Sequence, residues 1–236
     1  GTGSEVTKNA VIASPEHKVK VSLRDARMFP STAIVDPALT MSAPEHITIY
    51  SGADALTQCI EPYVSHLSTP ITDPLCLDGI RLISGALPKV VHNPQDLMAR
   101  EQMALGSLYG GIALANAKLG AVHGFAGPIG GMFSAPHGAV CAALMVPVAE
   151  VNIRAMQERE PDNPALDRYQ QISRIVIGSE SSGFEELIEW LKQLSIQLGF
   201  PKLSSYGITK AEFPAIISKS RASSSMKGNP IVLRDD

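Results

Sequence analysis

Residues 120–140, GAVHGFAGPIGGMFSAPHGAV, set two histidines, His123 and His137, in a stretch otherwise made almost wholly of apolar residues and glycine. In one unbroken helix their spacing of 14 positions would span four turns, about 21 Å at 1.5 Å per residue, too far to share a ligand atom. Gly130, Gly131 and Pro136 interrupt the stretch. It is therefore predicted to fold as two helices joined by a turn, with His137 at a helix start just behind a proline. Folded back in this way, the two imidazoles converge. The glycines and alanines let helices pack closely and leave nothing polar to satisfy a buried imidazole, which a shared ligand would do. The alternative, from these two residues alone, is that each caps a helix or bonds a backbone carbonyl in the core.

A third candidate lies upstream. SGADALTQCIEPYV, residues 51–64, puts Asp54 near the start of an amphipathic helix among Ala55, Leu56, Cys59 and Ile60. A carboxylate is expensive there unless it is paired or bound to a metal. Two imidazoles and a carboxylate with an open position suit Fe(II) or Zn(II), a Lewis acid for an alcohol or carbonyl oxygen. The alternative for Asp54 is a carboxylate favoured by the helix dipole. No GxSxG sequence is present, and Ser134 near His137 reads as part of a loop, so a Ser-His-Asp reading has no support.

The remainder of the chain divides near residue 45. Before it, GTGSEVTKNAVIASPEHKVKVSL opens in a glycine-rich turn and runs into strand-like sequence, with Val11, Val19 and Val21 near period two, and STAIVD at 31–36 reads as a further strand ending at an Asp-Pro turn. After it, apolar residues recur every three or four positions in 38–64, 97–120, 169–178, 183–199 and 210–220, which predicts helices. The polar stretch 154–168, RAMQEREPDNPALDR, reads as a connecting loop. The expected organisation is a β-hairpin and strand over 1–45 and an all-helical domain over 46–236.

Composition narrows the class. At 236 residues, 44% hydrophobic and 18% charged, the chain can bury a sizeable core. The net charge of −3 comes without any block of like charges, so neither a nucleic-acid groove nor a membrane surface is expected. Cys59, Cys76 and Cys141 have no CxxC spacing and read as reduced thiols. No uninterrupted apolar run reaches the length of a membrane helix and no basic-then-apolar leader opens the chain, so a soluble, cytoplasmic protein is expected.

GTGSEVTKNAVI (1–12), AIVDP (33–37), GADALTQCIE (52–61) and AVHGFAGPIGGMFSAPHG (121–138), in this order and at these separations, resemble the iron-containing (group III) alcohol dehydrogenases of the dehydroquinate-synthase-like fold. The resemblance implies a mainly α protein. Its helical domain would carry the metal, with the hairpin belonging to the N-terminal α/β domain that precedes it in the family. It also implies interconversion of a small alcohol with an aldehyde or ketone using NAD or NADP, and a homo-oligomer is compatible with it. The family's metal-binding aspartate falls on Asp54 and its two later histidines on His123 and His137. The fourth ligand, a histidine one turn after the aspartate, falls on Gln58, a neutral and weaker donor. Where many members place a histidine one turn beyond the first, this chain has Gly127. His66 and His92 match nothing and read as surface residues. The resemblance puts cofactor contacts at Gly1 and Thr2 in the opening turn, Val11 on the next strand and Lys20 on its partner; backbone N–H groups, a hydroxyl and a cation suit phosphate or ribose. The family's GGGS pyrophosphate loop lies well upstream of GTGSEVT, so the chain reads as the second part of the family's architecture. Two further readings stay open: a metal-independent reductase on the same fold, suggested by Gln58 and Gly127, and a non-catalytic helical module.

Overall fold

The computed structural model describes residues 2–17 and 19–234. Two antiparallel strands, β1 (Asn9–Ser14) and β2 (Val19–Arg24), pair from Asn9 with Arg24 to Ser14 with Val19. Eight α-helices follow among the described residues: α1 (Glu45–Val64), α2 (Thr72–His92), α3 (Leu97–Ala117), α4 (Ala121–Met132), α5 (His137–Arg159), α6 (Ala165–Ile177), α7 (Phe184–Gln197) and α8 (Phe213–Arg221).

The axis of the assembly is α1. Every residue from Gly52 to Val64 is buried, because α2, α3 and α5 pack around it and leave it no solvent face. Leu56 of α1, Ile80, Ile83 and Leu87 of α2, Met156 of α5, Ile172 of α6, and Leu187 and Leu191 of α7 are all essentially inaccessible. They belong to one continuous apolar core. A second cluster brings together Val122, Ala126 and Ile129 of α4, Val140 and Cys141 of α5 and Ile216 of α8. The hairpin rests on α4: a Cβ added at Gly131 would stand 2.9 Å from the Lys20 backbone nitrogen, so only a glycine permits this approach.

The hairpin, the change to helix at Glu45 and the break between α4 and α5 follow the periodicity of the sequence. Two expectations need correction, and two features were not anticipated. STAIVD at 31–36 forms no strand; Ile34 is 88% exposed, the segment pairs with neither β1 nor β2, and Asp36 instead caps a 3-10 turn at Pro37–Thr40 by accepting from the Ala38 N–H. The connection expected over 154–168 shrinks to 160–164, since α5 runs to Arg159 and α6 starts at Ala165; its apolar face is buried although its exposed face is charged. Nothing in the pattern announced α2, whose signal is diluted by Pro74 and Pro88. Pro74 stands in the first turn, where its missing N–H costs no helical bond. Finally, α5 is long and apolar enough to cross a membrane by length and composition, although no uninterrupted apolar run does so; 61% of its apolar window is buried inside the fold, as expected of a core helix.

Candidate metal centre

Three helices bring the candidate residues together. On α1, Asp54, Gln58 and Glu61 follow at spacings of four and three and therefore share a face. His123 lies in the first turn of α4, and His137 opens α5 behind Pro136, with Cys141 one turn further on. The first turn of α5 is pressed against α1. A Cβ at Gly138 would lie 2.5 Å from the carbonyl oxygen of Tyr50, one turn before Asp54.

The rings of His123 and His137 are 5.4 Å apart between centroids. His123 Nε2 is 3.0 Å from Asp54 Oδ1, and His137 Nε2 is 3.8 Å from the same oxygen. The convergence anticipated from the glycines and Pro136 is thus present. Two participants were not anticipated. Glu61 Oε2 accepts from His123 Nδ1 at 2.7 Å, while Glu61 Oε1 accepts from the Val122 N–H at 2.6 Å. Cys141 Sγ stands 3.9 Å from His123 Nε2 and 3.8 Å from His137 Nε2. Donor atoms of Asp54, His123, His137 and Cys141 all lie within 4.8 Å of one another. The spacing shows only which helix face each shares, Glu61 seven residues after Asp54 and Cys141 four after His137; it does not show that either meets His123.

Glu61 also explains why α4 starts where it does. Its carboxylate takes up a free N–H of the helix's first turn, and Asn229 Oδ1 accepts from the Ala121 N–H at 3.0 Å, so two side chains from elsewhere cap the helix. Asn229 is held in turn by Asn152, whose amide also reaches the Tyr169 hydroxyl. Behind Glu61 these groups border a cavity of about 20 Å³, room for a single water.

The electrostatics are those of a buried carboxylate–imidazole cluster. Burial opposes ionisation of Asp54, but its hydrogen bond to His123 and the charges of His123 and His137 outweigh burial and bring its carboxyl down to about 2. Burial likewise opposes the His123 imidazolium, yet Cys141, Asp54 and Glu61 around it hold its pKa well above the usual histidine range. Burial, with the positive charges of His123 and Lys20, lowers His137 despite Asp54. Burial raises the Cys141 thiol to about 12. With Nδ1–H donating to Glu61, His123 can face Asp54 at 3.0 Å only with a proton or a cation between Nε2 and Oδ1. Gln58 Oε1 is buried and has no hydrogen-bond partner among the described residues. The carboxylate and the two imidazole nitrogens fit a divalent ion, and the unpartnered Gln58 Oε1 belongs to the residue one turn after Asp54 on α1.

The remaining expected positions fall as follows. Val11 and Lys20 lie on β1 and β2, and Lys20 reaches over α4, since a Cβ at Gly130 would stand 2.7 Å from its Nζ. Thr2 is partly buried ahead of the short 3-10 helix Ser4–Val6, and Gly1 lies outside the described residues. A side chain added at Gly127 would meet nothing within 4 Å, so the position opens onto space. His92 is exposed, as is His66, whose Nδ1 lies 3.1 Å from the Asn229 carbonyl.

Asp54 and His123, both buried, and the partly exposed His137 thus converge between α1, α4 and α5. The chain belongs to the iron-containing alcohol dehydrogenase family: the family's C-terminal domain matches residues 48–236, and the iron-containing alcohol dehydrogenase pattern matches residues 1–37. It is 36% identical over 232 residues to the 1,3-propanediol dehydrogenase of Klebsiella pneumoniae, covering 98% of this chain and 59% of that protein. It is 41% identical over 160 residues to the NAD-dependent methanol dehydrogenase of Bacillus methanolicus, covering 67% of this chain and 42% of that one. Among solved structures, a 1,3-propanediol oxidoreductase superposes on all of this chain and 61% of its own, with a TM-score of 0.90 and 32% identity. A sulfoacetaldehyde reductase from Bifidobacterium kashiwanohense in complex with NAD+ does so at 0.85 and 29%, over 59% of its length. The chain therefore spans about three-fifths of the length of such relatives.

Proposed function

We propose that this chain provides the metal-binding part of an NAD(P)-dependent oxidoreductase that interconverts a small alcohol with an aldehyde or ketone. The observation that carries the reading is the approach of Asp54, His123 and His137 from three helices to one buried point. These residues, with the oxygen of Gln58, would hold a divalent ion. When bound, the ion supplies a Lewis acid that polarises the substrate oxygen, while the nicotinamide exchanges the hydride.

The chain's own residues prepare that site. Glu61 fixes the His123 ring through Nδ1 and so determines that Nε2 faces Asp54. His137, partly exposed, marks the side from which a small molecule reaches the cluster. Lys20, lying over α4 at Gly130, adds positive charge on the hairpin side, which suits a phosphate or ribose of the cofactor together with Thr2 and Val11. Gly127 leaves its position open, so proton exchange there falls to water.

The metal-independent alternative is less well served by these residues. Both ring nitrogens of His123 already face carboxylates, and it has no third donor to polarise a carbonyl. The deciding measurement is stoichiometric uptake of Zn(II) or Fe(II) by the metal-free chain, with loss on Asp54→Ala, His123→Ala or His137→Ala. Uptake unchanged in all three variants would refute the metal site. Alcohol-dependent reduction of NAD or NADP, assayed with the metal-loaded protein, tests the reaction.

A further inference from the structure

We propose that Cys141 is a thiolate ligand of this metal site beside Asp54, His123 and His137, taking the place given above to the oxygen of Gln58, so that the site selects a thiophilic divalent cation such as zinc. The inference rests on the metal-site reading above. It differs from it in naming a donor that neither the family pattern carried over to this chain nor the spacing of its histidines supplies.

Cys141 is placed for this role by its helix. His137 and Cys141 are four residues apart at the start of α5 and so project from one face. The sulfur is wholly inaccessible to solvent and faces two imidazole nitrogens at almost equal distances, 3.8 and 3.9 Å. Donor atoms bonded to one tetrahedral zinc at about 2.0–2.3 Å lie about 3.3–3.8 Å apart. The separations of 3.0 and 3.8 Å from Asp54 Oδ1 to the two imidazoles, and of 3.8 and 3.9 Å from the sulfur, lie within a few tenths of an ångström of that range, and no two of the four donor atoms are more than 4.8 Å apart. Neither of the other cysteines has this setting. Cys59 Sγ contacts the Gly106 carbonyl at 3.5 Å, Cys76 is buried in the main apolar core, and of the three cysteines only Cys141 joins the carboxylate–imidazole cluster.

The chemistry balances without an added reactant. As sulfur bonds to the ion, the S–H bond breaks and its proton leaves to solvent; no electron is transferred. A thiolate is a soft donor, favouring zinc and cobalt over magnesium and manganese, which prefer oxygen shells. It also offsets what the chain lacks at Gln58, where a neutral oxygen stands in the place of an imidazole.

The test uses the 236-residue chain loaded with Co(II), and separately with Zn(II). The cobalt protein is expected to show an intense thiolate-to-cobalt charge-transfer absorption in the near ultraviolet. That band should persist in Cys59→Ser and Cys76→Ser and vanish in Cys141→Ser. X-ray absorption of the unmutated zinc protein is expected to show one sulfur at about 2.3 Å, which requires no variant to fold. Cobalt or zinc bound in a shell of nitrogen and oxygen alone, or a thiolate band that survives in Cys141→Ser, would overturn the assignment of Cys141 and leave the metal-site reading standing. Failure to bind either ion would overturn both.

Discussion

Gln58 sits one helical turn beyond Asp54, and its buried Oε1 has no partner among the described residues. Replacing it with histidine adds an imidazole on the same face of α1. Gln58→His is expected to raise affinity for Zn(II) or Fe(II) by about tenfold or more, the scale on which even outer-sphere partners act; an unchanged affinity in a metal titration would show that position 58 does not face the site. Asp54 supports a second prediction. Its carboxyl ionises at about 2 in the fold against 3.8 for the ordinary group. The folded value is the lower one, so the stabilisation is fully present above about pH 4 and is lost as the pH falls through 3.8 toward 2. For the metal-free chain this difference is on the order of 2 kcal/mol. Denaturant unfolding at about pH 6 and about pH 3 should therefore show a larger acid loss for the native sequence than for Asp54→Asn. Equal losses would contradict the pairing of Asp54 with His123.

At the level of elements, the site depends on how closely α5 approaches α1. Gly138 stands where any side chain would collide with the Tyr50 carbonyl, and backbone cannot yield as a flexible side chain can. Gly138→Val is expected to cost about 1–3 kcal/mol of stability. It should also weaken metal binding, because the shift that relieves the clash carries His137 and Cys141 away from Asp54. Thermal unfolding and metal titration of the same variant check both effects; a stable variant with undiminished affinity would mean that the approach is not what positions His137. The helices around this contact were largely legible from three- and four-residue periodicity, and the α4–α5 break was legible from Gly130, Gly131 and Pro136. The exceptions have local causes. Prolines obscured α2, and STAIVD has strand-like residues but no paired edge.

For the whole molecule, Ile12, Val21 and Leu23 share one face of the hairpin and are each about half exposed, whereas Val11 and Lys20 lie on the opposite face. Thr2, Val11 and Lys20 supply one wall of the proposed nucleotide site, and no glycine-rich pyrophosphate loop occurs in these 236 residues. The 236-residue chain is accordingly expected to bind NAD or NADP with a Kd above about 100 μM. Calorimetry giving a low-micromolar value would show that the hairpin side is sufficient. The sequence by itself determined the helical class, the hairpin, the family and the three residues whose burial would be costly, since period, turn residues and isolated polar groups in apolar runs are local signals. Only the tertiary structure decided that Glu61 orients His123 and caps α4 and that Cys141 stands beside both imidazoles. Glu61 and Val122 are 61 positions apart and leave no trace of their contact in any local pattern, and a buried cysteine reads as an ordinary apolar residue until its neighbours are known.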